Sequence, residues 1–507
     1  MFELVYLSEK ADEVVDQLKT YDVSNFYPSH SVEALAPKSR YGFRIANQLV
    51  MLDALLLMAG TVEIAPDLEN FKAPDERFGP FSYRFENKGD GSVLKNDRTY
   101  RDWIEFQREI AKAGDIEYVV FTDIADFYQR IYFHRIENVL RSASANKGVA
   151  ALLEKIIKKI RAKQSYGIPV GGTASRFIAE AVLSDFDHAL EAEEYFFTRF
   201  VDDIRIYIRK GESAYRSLAF AAEVLLSEGL TLNAQKTRVV TLNQYVEYLD
   251  DEGLDAFDET QRTALEALSN SLYFEEADEP DADELASLQA LNLVDLLSDL
   301  LAAESWDFGK IRSILRALRI TQNAECVQFI GANLELLLPF IKDVVLLLDN
   351  LSKSGALPAE FDITPSVVGH LRVGAGRSVP VIRAWLLELF IRRITPISAK
   401  TLGEIERVSE LDGRQIILIN ATISNIAYFR KNKTRFDQFS MFEQYALIIG
   451  ATCLPKDEYD TWVDAVRGGM LQPLDKSFCD WAKSKQGKFG LVITDLANLA
   501  QTSDGQS

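Results

Sequence analysis

The stretch TRFVDDIRIYI, from Thr198 to Ile208, decides the fold. Apolar side chains alternate with polar ones on both sides of two adjacent aspartates, Asp202 and Asp203. Neighbouring carboxylates repel each other, and burying both in a strand costs free energy unless a cation lies nearby. The stretch therefore predicts two short strands of a hairpin, broken at the aspartates, with the pair in a solvated turn or beside a positive charge.

A third aspartate stands at the end of another apolar run. In VVFTDIADFY, Asp123 follows a strand-like segment that ends at Thr122. If the two strands are neighbours, Asp123 and Asp202 lie on one edge of a sheet. Carboxylates on such an edge could bind two Mg²⁺ ions, or Mn²⁺ ions, about 4 Å apart, as in enzymes of in-line phosphoryl transfer. Taken alone, an Asp-Asp pair in a hairpin is most often only a turn.

Two further segments help to decide between a metal site and a simple turn. Before the pair, GIPVGGTASRFIAEAVLSDFD brings Gly167, Gly171 and Gly172 ahead of a helix, which suits close approach of a nucleotide or a template strand. After the pair, GLTLNAQKT places Lys236 where it could reach a phosphate, although a solvated lysine fits equally well. The order of these segments favours a nucleotide site over a simple turn.

The succession of predicted elements indicates the fold class. Between residues 115 and 242 it is strand, helix, helix, hairpin, helix, strand, which predicts an α+β fold with helices packed on a small antiparallel sheet. Beyond residue 255 the strand signals end, and leucine-rich helices of the kind that stack as an α-solenoid follow. We expect three parts: residues 1–250, an acidic connecting helical segment at 251–300, and an all-α helical-repeat domain at 301–507.

The net charge of −20 argues against an obvious nucleic-acid-binding protein, but the charge is unevenly distributed. Residues 251–300 contain one basic and 15 acidic residues, so the rest of the chain could still carry basic grooves. A solvated acidic linker or helix face is the simplest interpretation of that segment.

Cysteine usage and hydropathy indicate the compartment. Cys326, Cys453 and Cys479 are too widely spaced for a zinc site or a disulfide framework, which together with the lack of a signal peptide favours the cytoplasm. The most apolar run, Leu334 to Leu348, is too short to cross a bilayer, so we expect a buried helix there and no membrane partner.

The order of the motifs resembles the palm of reverse transcriptases of the bacterial, group II intron and retron kind. FTDIADFYQRIYFHRI looks like their motif A, GIPVGGTASRFIAEAVLSDFD like motif B, FVDD like motif C and LTLNAQKT like motif D. The resemblance implies that Asp123, Asp202 and Asp203 are the catalytic carboxylates and metal ligands, with the Ile124 carbonyl as a further ligand. It implies synthesis of DNA from deoxynucleoside triphosphates (dNTPs).

The same resemblance implies nucleotide-binding roles for further residues. Tyr128 takes the position of an aromatic steric gate that blocks a ribose 2′-hydroxyl; core packing is the alternative, and we favour it for the adjacent Phe127. Gly171 belongs to motif B. Lys236 belongs to motif D and is a candidate proton donor to pyrophosphate or a triphosphate contact.

Two arginines fall in the region that corresponds to the fingers. They are Arg44 in GFRIANQ and Arg84 in FSYRF. Either could clamp a triphosphate through bidentate hydrogen bonds. A surface salt bridge is an equally good interpretation of each.

The chain departs from the group II and retron pattern at Val170, where that pattern has Gln, and at Phe200, which replaces Tyr. It also lacks a recognisable basic RNA-binding thumb. In layout it resembles the abortive-infection (Abi) reverse transcriptases of phage-defence loci and prophages, which join fingers and palm to helical HEAT-like repeats. The resemblance implies a homo-oligomer, a phage trigger, and template-independent DNA synthesis primed by a tyrosine, with single-stranded DNA attached covalently. None of the nineteen tyrosines stands out as the primer.

A basic, aromatic segment in the C-terminal half, YFRKNKTRF from Tyr428 to Phe436, could bind the DNA product. Its cations would follow the phosphates while its rings stack on bases. The candidate residues are Arg430, Lys431, Lys433 and Arg435. A solvated interhelical loop is the alternative.

Two other functions stay open at this stage. The first is templated, retron-like synthesis of DNA on a dedicated RNA. The second is a non-catalytic scaffold that binds nucleic acid or a phage protein, against which the retention of all three carboxylates weighs.

Overall fold

The computed structural model describes residues 2–74, 79–89, 91–95, 97–112, 114–161, 164–250, 282–490 and 492–493. The chain divides into two compact units. We call Val23–Ser31 with Ala46–Phe257 the sheet unit, and Met1–Asp22 with Val32–Ile45 and Asp258–Ser507 the helical unit.

The strands are short and rich in β-branched and aromatic residues, which fit a pleated, half-buried surface. In chain order they are β1 (Val32–Pro37), β2 (Phe43–Gln48), β3 (Gly79–Pro80), β4 (Ile116–Asp123), β5 (Phe196–Phe200), β6 (Asp203–Arg209) and β7 (Arg238–Thr241). β1 and β2 form a two-stranded sheet, and the others form a five-stranded sheet in the order β3-β5-β6-β4-β7. β5–β6, β6–β4 and β4–β7 are antiparallel, whereas the two-residue β3 is parallel to β5.

Helices connect the strands of the sheet unit. The helices of the chain up to residue 250 are α1 (Phe2–Glu9), α2 (Ala11–Lys19), α3 (Met51–Phe71), α4 (Tyr100–Lys112), α5 (Phe127–Arg130), α6 (Phe133–Ala143), α7 (Lys147–Ile160), α8 (Thr173–Val182), α9 (Ser184–Ala192), α10 (Ala214–Ser227) and α11 (Leu242–Asp250). This is the mixed helix and sheet fold that the sequence predicts.

The core of the sheet unit lies along β4 and β6. Val119 and Val120 on β4 and Ile204 and Ile206 on β6 are fully buried. Consecutive residues of β4 point to opposite faces, so both faces of the sheet are covered at its centre. The predicted hairpin is present, and its register fixes where the aspartates lie.

The described part of the chain beyond residue 281 is helical, as predicted. Its α-helices are Ala282–Gln289, Leu293–Ala302, Phe308–Ile320, Cys326–Ala332, Leu334–Leu337, Ile341–Lys353, Thr364–Arg372, Ala375–Ser378, Pro380–Ile391, Ala399–Gly403, Glu410–Thr422, Ile426–Asn432, Met441–Gly450, Lys456–Gly469 and Pro473–Ser484. A row of long helices runs through this unit, in which each contacts the next: Phe308–Ile320, Ile341–Lys353, Pro380–Ile391, Glu410–Thr422 and Met441–Gly450. The assignment of this row to HEAT-like repeats stays a prediction.

The first 22 residues and β1 belong to the helical unit, in contrast to the expected boundary at residue 250. Tyr6 on α1 packs against Trp481 with ring centroids 5.6 Å apart, and the indole N–H of Trp481 donates to Glu9 at 2.9 Å. The N-terminal helices therefore complete the core at the far end of the chain.

Other predictions about segments need correction or fall outside the description. The apolar run from Leu334 to Leu348 is not one helix, since Pro339 lies in a 3-10 turn between two helices. None of the helices in the described ranges combines the length and apolarity that a membrane crossing needs. Most of the acidic segment, residues 251–281, lies outside the described residues.

Candidate active site

Three carboxylates meet at the end of β4 and β6. Asp123 and Asp203 are paired residues across these neighbouring antiparallel strands, and Asp202 is in the turn that precedes β6. Oxygen atoms of the three side chains lie within 4.8 Å of one another. The strand pairing thus brings together residues 80 positions apart in the chain, as the sequence predicts.

The turn between β5 and β6 is held in an unusual conformation. Val201 has φ of 55°, in the left-handed region that a β-branched residue rarely adopts. Its N–H donates to the Ser82 hydroxyl at 2.7 Å, and its carbonyl accepts a hydrogen bond of 2.7 Å from Arg199. The Asp202 carbonyl accepts from the N–H of Ile124 at 3.0 Å. These contacts fix the backbone that presents the aspartate pair.

Buried ion pairs anchor this turn to helices α8 and α9. The Arg199 side chain is fully buried and donates to both oxygens of Asp187, at 2.9 and 2.7 Å. It also lies 2.9 Å from Glu180, which accepts a hydrogen bond of 2.5 Å from Ser82. Burying these charges is favourable only because each has a partner. We define Ser82, Glu180, Asp187 and Arg199 as the turn clamp.

Two side chains of the segment after α10 contact Asp123. The ammonium of Lys236 donates to Oδ2 at 2.6 Å, and the amide of Asn233 donates to Oδ1 at 3.0 Å. Partial burial lowers the pKa of Lys236. The hydrogen bond to Asp123 and the charges of Asp203 and Asp202 raise the pKa by more than burial lowers it, so the net shift is upward. Lys236 is therefore a cation of the carboxylate cluster, with a side chain that remains 57% exposed.

Arg205 supplies a second positive charge. It is buried, with its guanidinium 4.3 Å from the centroid of the Phe121 ring and 5.1 Å from that of Trp103. Burial raises the pKa of Asp203, and the charge of Arg205 opposes that rise. Of the two alternatives for the aspartate pair, the structure supports the nearby positive charge, whereas the turn that holds the pair is partly buried and not freely solvated.

The ionised form of Asp202 is destabilised by its surroundings. Burial raises its pKa to about 7, the charges of Asp203 and Asp123 add to the rise, and Lys236 opposes it. Three carboxylates with limited cationic compensation form an all-oxygen donor set, which Mg²⁺ and Mn²⁺ prefer. The residues present therefore fit a divalent cation.

Tyr128 follows Asp123 by five residues in the chain. It is on α5, and burial raises its pKa well above the usual value, with smaller effects of the neighbouring Tyr83 and Asp202. Its steric-gate role stays a prediction. Phe127 is buried in the core, as favoured.

The glycines ahead of α8 have different surroundings. Gly171 has φ of 104°, and a Cβ atom built on it would have open space around it. At Gly167, with φ of 96°, such an atom would lie 2.9 Å from the Arg161 side chain. Gly167 is therefore required for packing, whereas Gly171 leaves room for a ligand at the start of α8.

Arg84 does not lie as a free triphosphate clamp in the structure, because other groups already bind its guanidinium. Arg84 is buried, donates to Glu69 at 2.9 Å and donates to the Ala73 carbonyl at 2.6 Å. Its guanidinium is committed to this structural ion pair, so that prediction is corrected. The role of Arg44, which belongs to the helical unit, stays a prediction.

The basic segment from Tyr428 to Phe436 is not a loop but the end of a helix followed by a 3-10 turn. Arg430 and Lys433 both pair with Glu458, at 2.8 and 2.6 Å. Lys431 and Arg435 are exposed. Two of the four predicted cations thus share one carboxylate as their partner, which weakens the case for DNA binding there.

Sequence reasoning missed the contributions of Asn233, Arg205 and the turn clamp. Asn233 stands in the quoted LTLNAQKT segment, three residues before Lys236, and Arg205 follows the aspartate pair. Ser82 has no such signal, because it lies more than 100 residues before the turn that it contacts.

One protein family matches part of this chain. Residues 63–267 match the family described as reverse transcriptase (RNA-dependent DNA polymerase). No curated protein matches the chain. Among solved structures, telomerase from Candida albicans in complex with a TWJ fragment of telomeric RNA is 13% identical, with a TM-score of 0.33, 72% of this chain covered and 65% of that chain. This chain thus spans slightly under two thirds of that telomerase.

A second structure, apo telomerase from Candida tropicalis, is 12% identical, with a TM-score of 0.29 and coverage of 68% of this chain and 67% of that one. A third, telomerase from Candida tropicalis with a TWJ fragment of telomeric RNA, is 10% identical, with a TM-score of 0.31 and coverage of 90% and 64%.

Proposed function

We propose that this chain, whose residues 63–267 form a reverse transcriptase domain, is a DNA polymerase that joins dNTPs at the Asp123, Asp202 and Asp203 cluster. The observation that carries the proposal is the meeting of these three carboxylates within 4.8 Å on one sheet edge of that domain. In the reaction a hydroxyl oxygen forms a bond to the α-phosphorus of a dNTP. The bond from that phosphorus to the bridging oxygen breaks, and pyrophosphate leaves.

The three carboxylates would hold divalent metal ions, Mg²⁺ or Mn²⁺. Bound there, such ions supply charge neutralisation for the triphosphate and lower the pKa of the attacking hydroxyl. Lys236 holds its proton at Nζ beside Asp123 and is partly exposed, so it can donate that proton to the leaving pyrophosphate. Gly171 leaves room for the nucleotide, and the Tyr128 ring beside Asp202 would exclude a ribose 2′-hydroxyl.

As the more specific form of this proposal, we propose an Abi-type polymerase of phage defence. It works without a template and is primed by one of its own tyrosines. Its support is the resemblance in layout, the Val170 that replaces the Gln of templated relatives, and a C-terminal half that is helical wherever it is described. This proposal includes a cytoplasmic homo-oligomer with basal activity that a phage component increases. The priming tyrosine stays unassigned.

The alternative is templated synthesis on RNA, which the description of the matching family favours. The two are separated by incubating purified protein with Mg²⁺ and labelled dNTPs, without template or primer. The products are then run on a denaturing gel before and after protease treatment. The Asp203→Asn variant, which keeps the side-chain shape but loses the charge, is the control.

We expect label that stays with the protein, becomes peptide-linked DNA after proteolysis and is absent from the Asp203→Asn control. Incorporation that requires added RNA and a primer would replace the untemplated proposal with the templated one. No incorporation with or without template would contradict the polymerase itself and favour a scaffold.

A further inference from the structure

A cavity of about 660 Å³ opens in the helical unit, away in sequence from the carboxylates. The loop between β1 and β2 forms one wall of the cavity. Trp306 and residues in the ranges 335–339 and 366–382 form the rest of the wall. We call it the hairpin groove. The side chains that matter for its chemistry are Arg40, Tyr41, Phe43, Trp306, Glu335 and His370.

Aromatic rings line the groove. Trp306 is fixed, because its indole N–H donates to the Leu301 carbonyl at 3.0 Å and its ring packs 6.1 Å from that of Phe340. Tyr41 and Phe43 are 83% and 48% exposed. Large exposed rings that rim a cavity mark a surface that a ligand covers.

Positive charge accompanies these rings. The Arg40 guanidinium lies 4.3 Å from the centroid of the Trp306 ring, and within the described part of the chain no carboxylate pairs with it. Loss of hydration lowers the pKa of Arg44 on β2, and the charge of Arg312 lowers it further. Arg312 lies on the helix Phe308–Ile320, whose sequence contains four basic residues and no acidic one. Two of these four have acidic partners, since Arg312 lies 3.7 Å from Asp343 and Lys310 lies 4.0 Å from Asp307, so Arg40 is the cation of the groove on which the inference rests.

We propose that the hairpin groove binds single-stranded nucleic acid, with bases stacked on Tyr41, Phe43 and Trp306 and phosphates near Arg40. Rings interleaved with cations are what such a ligand requires, because every base has a face that can stack and every link carries a negative charge. Glu335 and His370 offer hydrogen-bonding groups to base edges. Only the origin of the bound strand rests on the proposed function. That strand is either the DNA product or an RNA template.

The segment from Tyr428 to Phe436 is the natural control surface. It has similar residue types, but Glu458 pairs with both Arg430 and Lys433. The hairpin groove has rings that are more exposed and an arginine that stacks on one of them. It is therefore the better site of the two.

The test measures fluorescence anisotropy of labelled 20-residue oligo(dT) and oligo(U) with the full-length protein, without nucleotides and with the metal chelated. We expect Trp306→Ala and Tyr41→Ala each to weaken binding about tenfold, since a lost stacking partner has an effect of that size. Tyr41→Phe, which keeps the ring, should bind as the wild type does. Arg430→Gln should also leave the affinity unchanged. Arg40→Gln should reduce the salt dependence by about 0.7 in the log–log slope.

Cross-linking of the wild-type protein to an oligonucleotide that contains 5-iodouracil avoids any folding defect of the variants. We expect cross-links to Tyr41, Phe43 or Trp306, mapped by mass spectrometry. Stronger binding of oligo(dT) would assign the groove to the DNA product, and stronger binding of oligo(U) to an RNA template. Unchanged affinity in Tyr41→Ala together with cross-links only outside the groove would overturn the proposal.

Nucleotide incorporation is measured on the same preparations. Because the groove and the carboxylates belong to different units, Asp203→Asn should bind the oligonucleotides normally. Absence of incorporation by the wild-type protein, with groove binding intact, would therefore contradict the polymerase proposal without contradicting this one.

Discussion

Asp202 is the residue on which the charge balance of the carboxylate cluster depends. Its pKa is raised from 3.8 to about 7 by burial and by two neighbouring aspartates, so its carboxyl competes for a proton near neutral pH. Because the pKa of Asp202 is higher in the folded than in the unfolded state, its protonation stabilises the folded state, and this contribution is fully present at pH values below the unfolded-state pKa. That contribution is lost as the pH rises through the folded pKa of about 7. A divalent cation would replace the proton.

Metal binding should consequently depend on pH. We expect the affinity of the wild-type protein for Mn²⁺ to fall about tenfold per pH unit below pH 7 and to level off above it, because each binding event must displace a proton. Isothermal titration at pH 6 and pH 8 measures this. An affinity that is the same at both values would contradict the assigned pKa, and Asp202→Asn is the matched control without a titrating group.

The position of Tyr128 leads to a prediction about sugar selection. We expect Tyr128→Ala to raise the kcat/KM for ribonucleotides relative to deoxynucleotides about tenfold or more, since removing a ring relieves a steric conflict with the 2′-hydroxyl. Tyr128→Phe should keep the preference for deoxynucleotides. Steady-state rates with matched dCTP and CTP give the ratio. If Tyr128→Ala and Tyr128→Phe behave alike, the ring is only a packing element.

At the scale of elements, the β5–β6 turn determines where the aspartate pair lies. A β-branched residue with positive φ is unfavourable by roughly 1–3 kcal/mol, and such a conformation persists only when its surroundings hold it. Here the Ser82 hydroxyl holds the N–H of Val201 and the Arg199 guanidinium holds its carbonyl. The turn clamp therefore links the catalytic geometry to β3, α8 and α9.

Ser82→Ala should damage both stability and activity. Because the buried Val201 N–H would lose its partner, the free energy of unfolding of the sheet unit should fall by about 1–3 kcal/mol. The turn should also shift, which would lower kcat for nucleotide incorporation more than it changes KM. Urea unfolding and steady-state kinetics measure the two effects.

Ser227→Ala is the control, since the Ser227 hydroxyl is exposed and bonds only within its own helix, to the Val224 carbonyl at 2.7 Å. We expect its stability to stay within about 0.5 kcal/mol of the wild type. Equal stability of Ser82→Ala and the wild type would show that the clamp does not hold the turn.

Local patterns predicted the strands and the carboxylates but not the clamp. The apolar runs that end at Asp123 and break at Asp202 are visible in a few residues each, and strand pairing then brings them together. The sequence left Arg84 open between a triphosphate ligand and a surface salt bridge, because its partner Glu69 lies on a different element. Ser82 and Arg199 could not be predicted, since their roles depend on contacts between residues far apart in the chain.

At the scale of the whole molecule, the chain interleaves its two units. Residues 1–22 and 32–45 belong with the C-terminal helices, whereas residues 23–31 belong with the sheet. Composition alone placed the boundary near residue 250, because helix signals at the N-terminus do not say which core the helices complete. The contact between Tyr6 and Trp481 spans almost the full length of the sequence.

The central claim is that this chain synthesises DNA at the cluster of Asp123, Asp202 and Asp203. The most direct test compares incorporation of labelled dNTPs by Asp123→Asn and by Asp126→Asn, assayed with and without an RNA template and primer. Asp126 is a matched control because it is exposed, lies three residues away and has φ of 50°, which Asn tolerates well.

We predict that Asp123→Asn lowers the incorporation rate more than about a hundredfold, since even indirect partners of metal ligands change activity by 10–100-fold. Asp126→Asn should retain the wild-type rate, with both variants folded as judged by circular dichroism. Equal rates in the wild type and Asp123→Asn, or incorporation by neither under any condition, would contradict the claim.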